Sequence, residues 1–246
     1  MTAWYEAYGI VKPYYADDAV CIVHGDCREI LPLIPPKSID LVLTDIPYGI
    51  SQESNGLRRL DYGDWDNNVD LTGIIKTLLL VLPASYYIWC GQEQLSALLQ
   101  VLASRGYMTR TLAWCKRNPP VLNGSRLWLQ SLELCAFGKL AGAYFTGGCQ
   151  VSYWLDSPDI ARQHPSQKPV AMIARQVQAS TAIGQSVLDP FLGSGTTAAA
   201  AKTLGRKCIG IEIEEKYCEI AAKRCAQSVM RLESPEPERP PQGGLL

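Results

Sequence analysis

No apolar run in the sequence approaches the roughly 20 residues needed to cross a bilayer, so no membrane partner is expected. Met1–Val11 lacks a basic cluster followed by an apolar stretch, so no secretory signal is expected either. Closely spaced cysteines are missing: nine occur, but no C-x-x-C, and the nearest pairs are Cys21/Cys27 and Cys218/Cys225. An odd, scattered set argues against a disulfide framework and against a structural zinc site, so no metal is expected. Buried thiols in a reducing cytoplasm are the better reading. There is no internal repeat, and the glycines nowhere follow a G-x-G-x-x-G spacing. What is present is an ordinary globular composition, 47% hydrophobic over 246 residues, enough for one full-size core.

Net charge is also nearly absent, at −1, but it is unevenly distributed. Residues 1–70 hold five basic and twelve acidic side chains, whereas residues 71–140 hold seven and two. The middle segment is carried by Lys76, Arg105, Arg110, Lys116, Arg117, Arg126 and Lys139 against Glu93 and Glu133. Clustered positive charge can neutralise phosphates. On charge alone a solvated surface is the plainer reading.

Strand-like and helix-like stretches alternate. Ala19–His24, Ile39–Thr44, Tyr86–Cys90, Tyr107–Lys116, Leu132–Gly138, Ser186–Leu188 and Cys208–Ile213 read as seven strands. Ile39–Thr44 is mostly apolar, as in a strand buried on both faces of a parallel sheet. Helices are expected over Arg28–Leu33, Leu71–Leu82 (stopped by Pro83), Gln92–Ser104, Val170–Ala182, Thr196–Leu204 (closed by Gly205) and Glu215–Met230. Asn118–Trp128 separates two strands by too much for a tight hairpin and should be a loop. The pattern is that of an open α/β sheet, mostly parallel, with helices on both faces. Residues 1–231 are read as a single domain. The remainder, 232–246, holds four prolines and Gly243-Gly244 and is expected to be a disordered tail.

Two loops after strands carry chemistry. Asp189-Pro190-Phe191-Leu192-Gly193-Ser194-Gly195-Thr196-Thr197 opens a helix. Its glycines permit a sharp turn and close backbone approach, and the helix start presents free N–H groups to a charged cofactor. Glu212, at the end of the following strand, can accept hydrogen bonds from ribose hydroxyls. The other loop is Thr44-Asp45-Ile46-Pro47-Tyr48-Gly49. It offers a carboxylate, a backbone carbonyl at Ile46 and an aromatic face at Tyr48, while Pro47 fixes its own φ and brings no donor. An amino group needs acceptors and a ring needs a stacking surface; a purely structural turn is the alternative.

Taken together these residues resemble the β group of N6-adenine and N4-cytosine DNA methyltransferases. Asp45-Ile46-Pro47-Tyr48 is similar to that family's [D/N/S]-P-P-[Y/F] motif, and Asp189 to Thr197 to its cofactor motif. His164-Pro165-Ser166-Gln167-Lys168-Pro169 resembles the H-P-T-Q-K-P that precedes the latter, and His24-Gly25-Asp26-Cys27 an upstream H-G-D-C. Trp114 to Asn118 and Glu133-Leu134 are similar to weaker segments, so the resemblance spans about residues 14–230. The catalytic loop precedes the cofactor loop, which is the order of the β group.

The resemblance implies a Rossmann-like methyltransferase fold with a seven-stranded sheet, S-adenosyl-L-methionine as cofactor and DNA as partner. Methyl transfer would go to an exocyclic amino nitrogen of a flipped base. It implies a catalytic role for Asp45, Ile46, Pro47 and Tyr48. It implies cofactor contacts from Asp26, Cys27, Lys168, Asp189, Phe191, Gly193, Gly195, Thr196 and Glu212, with Lys168 on the methionine carboxylate and Asp26 near the adenine. Asp at the first motif position favours adenine over cytosine in this family; N4-cytosine modification is the alternative. His164 reads equally as a motif-bearing cap or a packed core residue. A cysteine nucleophile at Cys27 or Cys90 is disfavoured. A non-catalytic nucleic-acid-binding relic, a methyltransferase of other substrates and a nicotinamide-dependent oxidoreductase are the competing classes.

Ile46 departs from the usual proline, but that position acts through its carbonyl. Ser166 replaces threonine and keeps the hydroxyl. The stretch between Phe145 and His164 is too short for a separate target-recognition domain. Recognition would then fall to short loops, Ser51–Asn68 with Arg58 and Arg59 or Asn118–Trp128, or to a partner subunit. A homodimer is compatible with this reading, and no pattern identifies a restriction partner.

Overall fold

The computed structural model describes residues 3–47, 71–119, 128–148, 150–156 and 168–227. Its strands are β1 Tyr15–Ala16, β2 Val20–His24, β3 Leu41–Asp45, β4 Ser85–Cys90, β5 Met108–Lys116, β6 Leu132–Lys139, β7 Tyr153–Asp156, β8 Ser186–Asp189 and β9 Lys207–Glu212. The helices are α1 Cys27–Ile30, α2 Leu71–Leu78, α3 Gln92–Ser104, α4 Val170–Ser180, α5 Thr196–Thr203 and α6 Glu215–Ala226. One sheet has the order β1-β2-β9-β8-β3-β4-β6-β5-β7. Strands β2, β9, β8, β3 and β4 are parallel. Strand β6 runs antiparallel to both β4 and β5, and β7 is parallel to β5.

Period-two alternation along the strands builds two cores. On one face Cys21, Val23, Val42, Ile88 and Ile209 pack with Cys27 of α1, Leu78 of α2 and Leu98 and Leu102 of α3. On the other, Ile22, Leu41, Leu43, Trp89 and Val187 pack with Met172 and Val177 of α4, Ala198 and Ala201 of α5, and Cys218 and Cys225 of α6. Trp89 and Trp114 are almost wholly enclosed. Burying an aromatic side chain of this kind contributes about 2–3 kcal/mol.

The described residues form nine strands where seven were expected. Strand β1 exists because the Asp17 carboxylate accepts from the N–H groups of Ala19 and Val20, both at 2.8 Å, folding the chain back onto β2. Two residues are too few to show periodicity. Strand β7 falls in the short stretch before His164 and extends the sheet instead of leaving it. Its four residues alternate Tyr153 out, Trp154 half-buried, Leu155 out, and the Trp154 ring lies 6.2 Å from that of Trp89. Helix ends also shorten: α2 stops at Leu78 and α4 at Ser180. The stretch Leu31–Leu33 is a separate 3-10 turn, with Pro32 in its first positions. The expected tail at 232–246 and His164 lie outside the described residues.

The topology defines a crevice. From β3 the chain leaves through α2 toward β4; from β8 it leaves through α5 toward β9, on the opposite side. Adjacent parallel strands whose connections diverge leave a cleft at their carboxyl ends, where ligands bind in open α/β sheets.

Candidate active site

Four acidic residues stand at the carboxyl ends of adjoining strands: Asp26 just past β2, Glu212 ending β9, Asp189 ending β8 and Asp45 ending β3. Alternation sets Asp45 on the face of Leu41 and Leu43, Asp189 on that of Val187, and Glu212 on that of Cys208, all one face of the sheet. The two chemical loops, more than 140 residues apart, meet directly: Thr44 Oγ1 donates to Asp189 Oδ1 at 2.8 Å, with |i−j| = 145.

The glycine loop is shaped by two positive φ angles, +53° at Gly193 and +81° at Gly195. They differ in surroundings. A Cβ on Gly195 would stand 2.8 Å from the Ala221 Cβ, so α5 can dock on α6 only if this residue is glycine. A Cβ on Gly193 would meet nothing within 4 Å. The Gly193 N–H donates to Glu212 Oε2 and the Glu214 N–H to Oε1, both at 2.8 Å. Burial raises the Glu212 carboxyl above its ordinary value despite these bonds. Burial also pushes Asp189 up to about 6, against hydrogen bonds from Thr197, Thr44 and the Phe191 N–H. Phe191 packs against the α1–α3 core. The hydroxyl of Thr196 accepts from Arg224 of α6 at 3.1 Å, which ties the start of α5 to α6.

Asp26 caps α1 through the Arg28 N–H at 2.8 Å and is clasped by the Arg28 guanidinium, with Nη2 at 2.5 Å. That guanidinium holds its carboxyl below the usual range. Cys27 and Cys90 are buried, and burial pushes each thiol up to about 12, so neither supplies a thiolate.

In the loop after β3, the Ile46 N–H donates to the Trp89 carbonyl at 3.1 Å, and its side chain is buried. Among the described residues no hydrogen bond reaches the Ile46 carbonyl. The Pro47 carbonyl accepts from Gln94 Nε2 at 3.1 Å, while Gln94 Oε1 accepts from the Gly91 N–H at 2.8 Å at the start of α3. Tyr48 lies outside the described residues. Lys168 lies just ahead of α4. Its ammonium pairs with the Asp45 carboxylate and lies 2.8 Å from Glu133 Oε2.

The described cations of the basic middle segment do not share one end of the sheet. Register places Lys139 opposite Met108, at the end of β5 and β6 remote from Asp45. Arg110 is two residues from Met108, and Arg105 bonds the Leu79 carbonyl beyond α2. Lys116 and Arg117 stand at the carboxyl end of β5, on the same side of the sheet as Asp45, and Lys116 is paired with Glu133 at 2.5 Å. The contacts of Gln94 with Pro47, Glu133 with Lys168 and Arg224 with Thr196 carry no local sequence signal, since each joins positions at least 28 residues apart.

The DNA methylase family N6_N4_Mtase matches residues 125–223. The type II methyltransferase M2.LlaDCHI of Lactococcus lactis subsp. cremoris is 30% identical over 248 residues, covering 87% of this chain and 92% of that protein. The type II methyltransferase M2.DpnII of Streptococcus pneumoniae matches to the same identity and extent. The crystal structure of the M1.HpyAVI–SAM complex superposes with a TM-score of 0.66 at 29% identity, over 83% of this chain and 99% of that one. The cytosine-N4-specific PvuII DNA methyltransferase shares the fold, with a TM-score of 0.70 at 18% identity over 89% and 91% of the chains.

Proposed function

The chain belongs to the N6-adenine/N4-cytosine DNA methyltransferase family and is an S-adenosylmethionine-dependent DNA methyltransferase; from that premise we propose that it methylates adenine at N6, with Asp45 and the Ile46 carbonyl as acceptors for the amino group. The observation that carries this reading is the junction of the two loops through Thr44 and Asp189, which sets an amino-group acceptor beside a cofactor cradle.

The residues fit the cofactor. Gly193 leaves open space where a side chain would begin, and two buried acids, Glu212 and Asp189, suit a cationic ligand bearing ribose hydroxyls. Glu212 would take the ribose, Asp189, Phe191, Gly193, Gly195 and Thr196 the methionine end, and Asp26 with Cys27 the adenine end. Asp26 would share that contact with Arg28. When bound, S-adenosylmethionine supplies the electrophilic methyl group.

The target base leaves the duplex, costing a few kcal/mol of unstacking. Its amino N–H groups donate to Asp45 and to the Ile46 carbonyl, drawing electron density onto the nitrogen and fixing the direction of its lone pair. Gln94 keeps the Pro47 carbonyl in place, so the turn is set before the base arrives. Tyr48 would provide the stacking surface. A carboxylate is a stronger, charge-assisted acceptor than the serine found at this position elsewhere in the family, and Asp45 is what supports adenine.

Residues 1–231 would act as one catalytic domain, since both helical layers share a single sheet. No helix among the described residues is long and apolar enough to cross a membrane. The eight described cysteines are all unpaired, which supports the cytoplasm as the compartment. Asp45→Ala should lower turnover by about 10²–10³-fold or more, with S-adenosylmethionine affinity little changed in calorimetry. Retained methylation in that variant would remove the role given to Asp45.

A further inference from the structure

Four side chains of alternating charge run outward from the crevice: Asp45 at the tip of β3, Lys168 ahead of α4, Glu133 on β6 and Lys116 at the end of β5. Lys168 pairs with Asp45 Oδ2 and with Glu133 Oε2, and Glu133 Oε1 pairs with Lys116. The Lys168 side chain is only 4% exposed, and those of Glu133 and Lys116 are 15% and 13% exposed. An ammonium so enclosed is tolerated only when paired. Two carboxylates on one ammonium leave a surplus negative charge, and Lys116 cancels it. The four charges together sum to zero.

Among the described residues, aromatic rings and thiols flank the set. The Trp89 ring lies 5.6 Å from the Lys168 ammonium and the Trp114 ring 5.2 Å from that of Lys116. Burial keeps the neighbouring Cys90 and Cys135 thiols protonated. Asp189 on β8 also feels Asp45. Burial works against the charges of Lys168 and Glu133, but their partners outweigh it, raising the ammonium and lowering the carboxyl.

We propose that Glu133 is a positioning residue for Asp45: held by Lys116, it grips Lys168 from the β6 side and so fixes the ammonium that pairs with the Asp45 carboxylate and aims it at the amino group. Glu133 touches no substrate and acts through Lys168. The inference rests on the role of Asp45 given above, and it takes Lys168 away from the methionine carboxylate.

The test is the single-turnover methylation rate against pH, with S-adenosylmethionine affinity, for Glu133→Gln, Lys168→Met, Lys168→Arg, Lys116→Met and Asp45→Ala in the full chain. Losing a cation makes the carboxylates harder to ionise, so Lys168→Met should move the acid limb up by about one pH unit. Lys116→Met should move it less, in the same direction, and Lys168→Arg should restore most of the loss. Glu133→Gln removes a negative charge, so the limb should move down while the plateau rate falls about tenfold. Opposed shifts of this kind do not come from general destabilisation. Should Lys168→Met fail to fold, Glu133→Gln and Lys116→Met decide the matter. An unmoved limb in both, or a Lys168→Met variant whose only defect is weaker cofactor binding, would overturn the proposal. If Asp45→Ala retains turnover, the reading of Asp45 has failed instead.

Discussion

Gly193 and Gly195 look alike in the sequence, two small residues one apart in a glycine loop, yet the structure separates their functions. Both hold left-handed backbone, but only Gly195 faces a wall: a Cβ there would stand 2.8 Å from the Ala221 Cβ and 3.0 Å from its Cα. Gly195→Ala should therefore destabilise the fold by about 3 kcal/mol, combining backbone strain with overpacking. Gly193→Ala should cost about 1 kcal/mol in urea unfolding and show its larger effect as weaker cofactor binding, because its methyl enters open space. Asp189 carries a pH signature. Its folded value of about 6 lies above the ordinary 3.8. The protonated carboxyl thus stabilises the cofactor-free fold, and that contribution is lost as pH rises toward and through about 6. A cationic cofactor favours the ionised form, so S-adenosylmethionine should bind more tightly as pH rises through the same window, with proton release. Calorimetry in buffers of different ionisation enthalpy reads this directly. A pH-independent affinity with no proton release would show that Asp189 does not face the cofactor's charge.

Among the elements, the strand–helix alternation was legible because each long strand carries its own pattern: Ile39 to Thr44 and Cys208 to Ile213 are apolar enough to announce burial on two faces. The loop motifs were legible for the same local reason, since Gly193, Gly195 and Glu212 are set by backbone chemistry within one βα unit. Strand β7 was not. Tyr153–Asp156 becomes a strand only because β5 presents an unpaired edge to it, a fact of assembly and not of local sequence. The partners of Lys168 were hidden likewise: the bond to Asp45 spans |i−j| = 123, and only folding reveals that the ammonium meets β3 and β6. Element α3 makes a further contribution through Gln94, which joins its first turn to the Pro47 carbonyl. Gln94→Leu should lower the methylation rate several-fold, with a stability loss of about 1 kcal/mol and an unchanged cofactor affinity. A drop in stability without any loss of rate would separate the turn's geometry from its chemistry.

For the whole molecule, the sheet's polarity divides the basic residues into those that can meet DNA bound at the catalytic edge and those that cannot. Arg117 follows β5 at that edge, whereas Lys139 pairs in register with Met108 at the remote end and Arg110 lies two residues along. Arg117→Ala should raise the KM for DNA and reduce the salt slope of binding by about one; Arg110→Ala should do neither. Equal effects would mean that the duplex lies across the sheet and not over its carboxyl edge. The segmental charge count alone could not make this distinction, because it ignores which end of a strand a residue occupies. The central claim is that a carboxylate-lined turn and a cofactor cradle on neighbouring strand tips place a methyl group on an adenine amino nitrogen. Its most direct measurement is mass spectrometry of nucleosides from DNA incubated with the protein and methyl-deuterated S-adenosylmethionine. The account predicts label in N6-methyladenine and none in 5-methylcytosine; label confined to a cytosine product would contradict it.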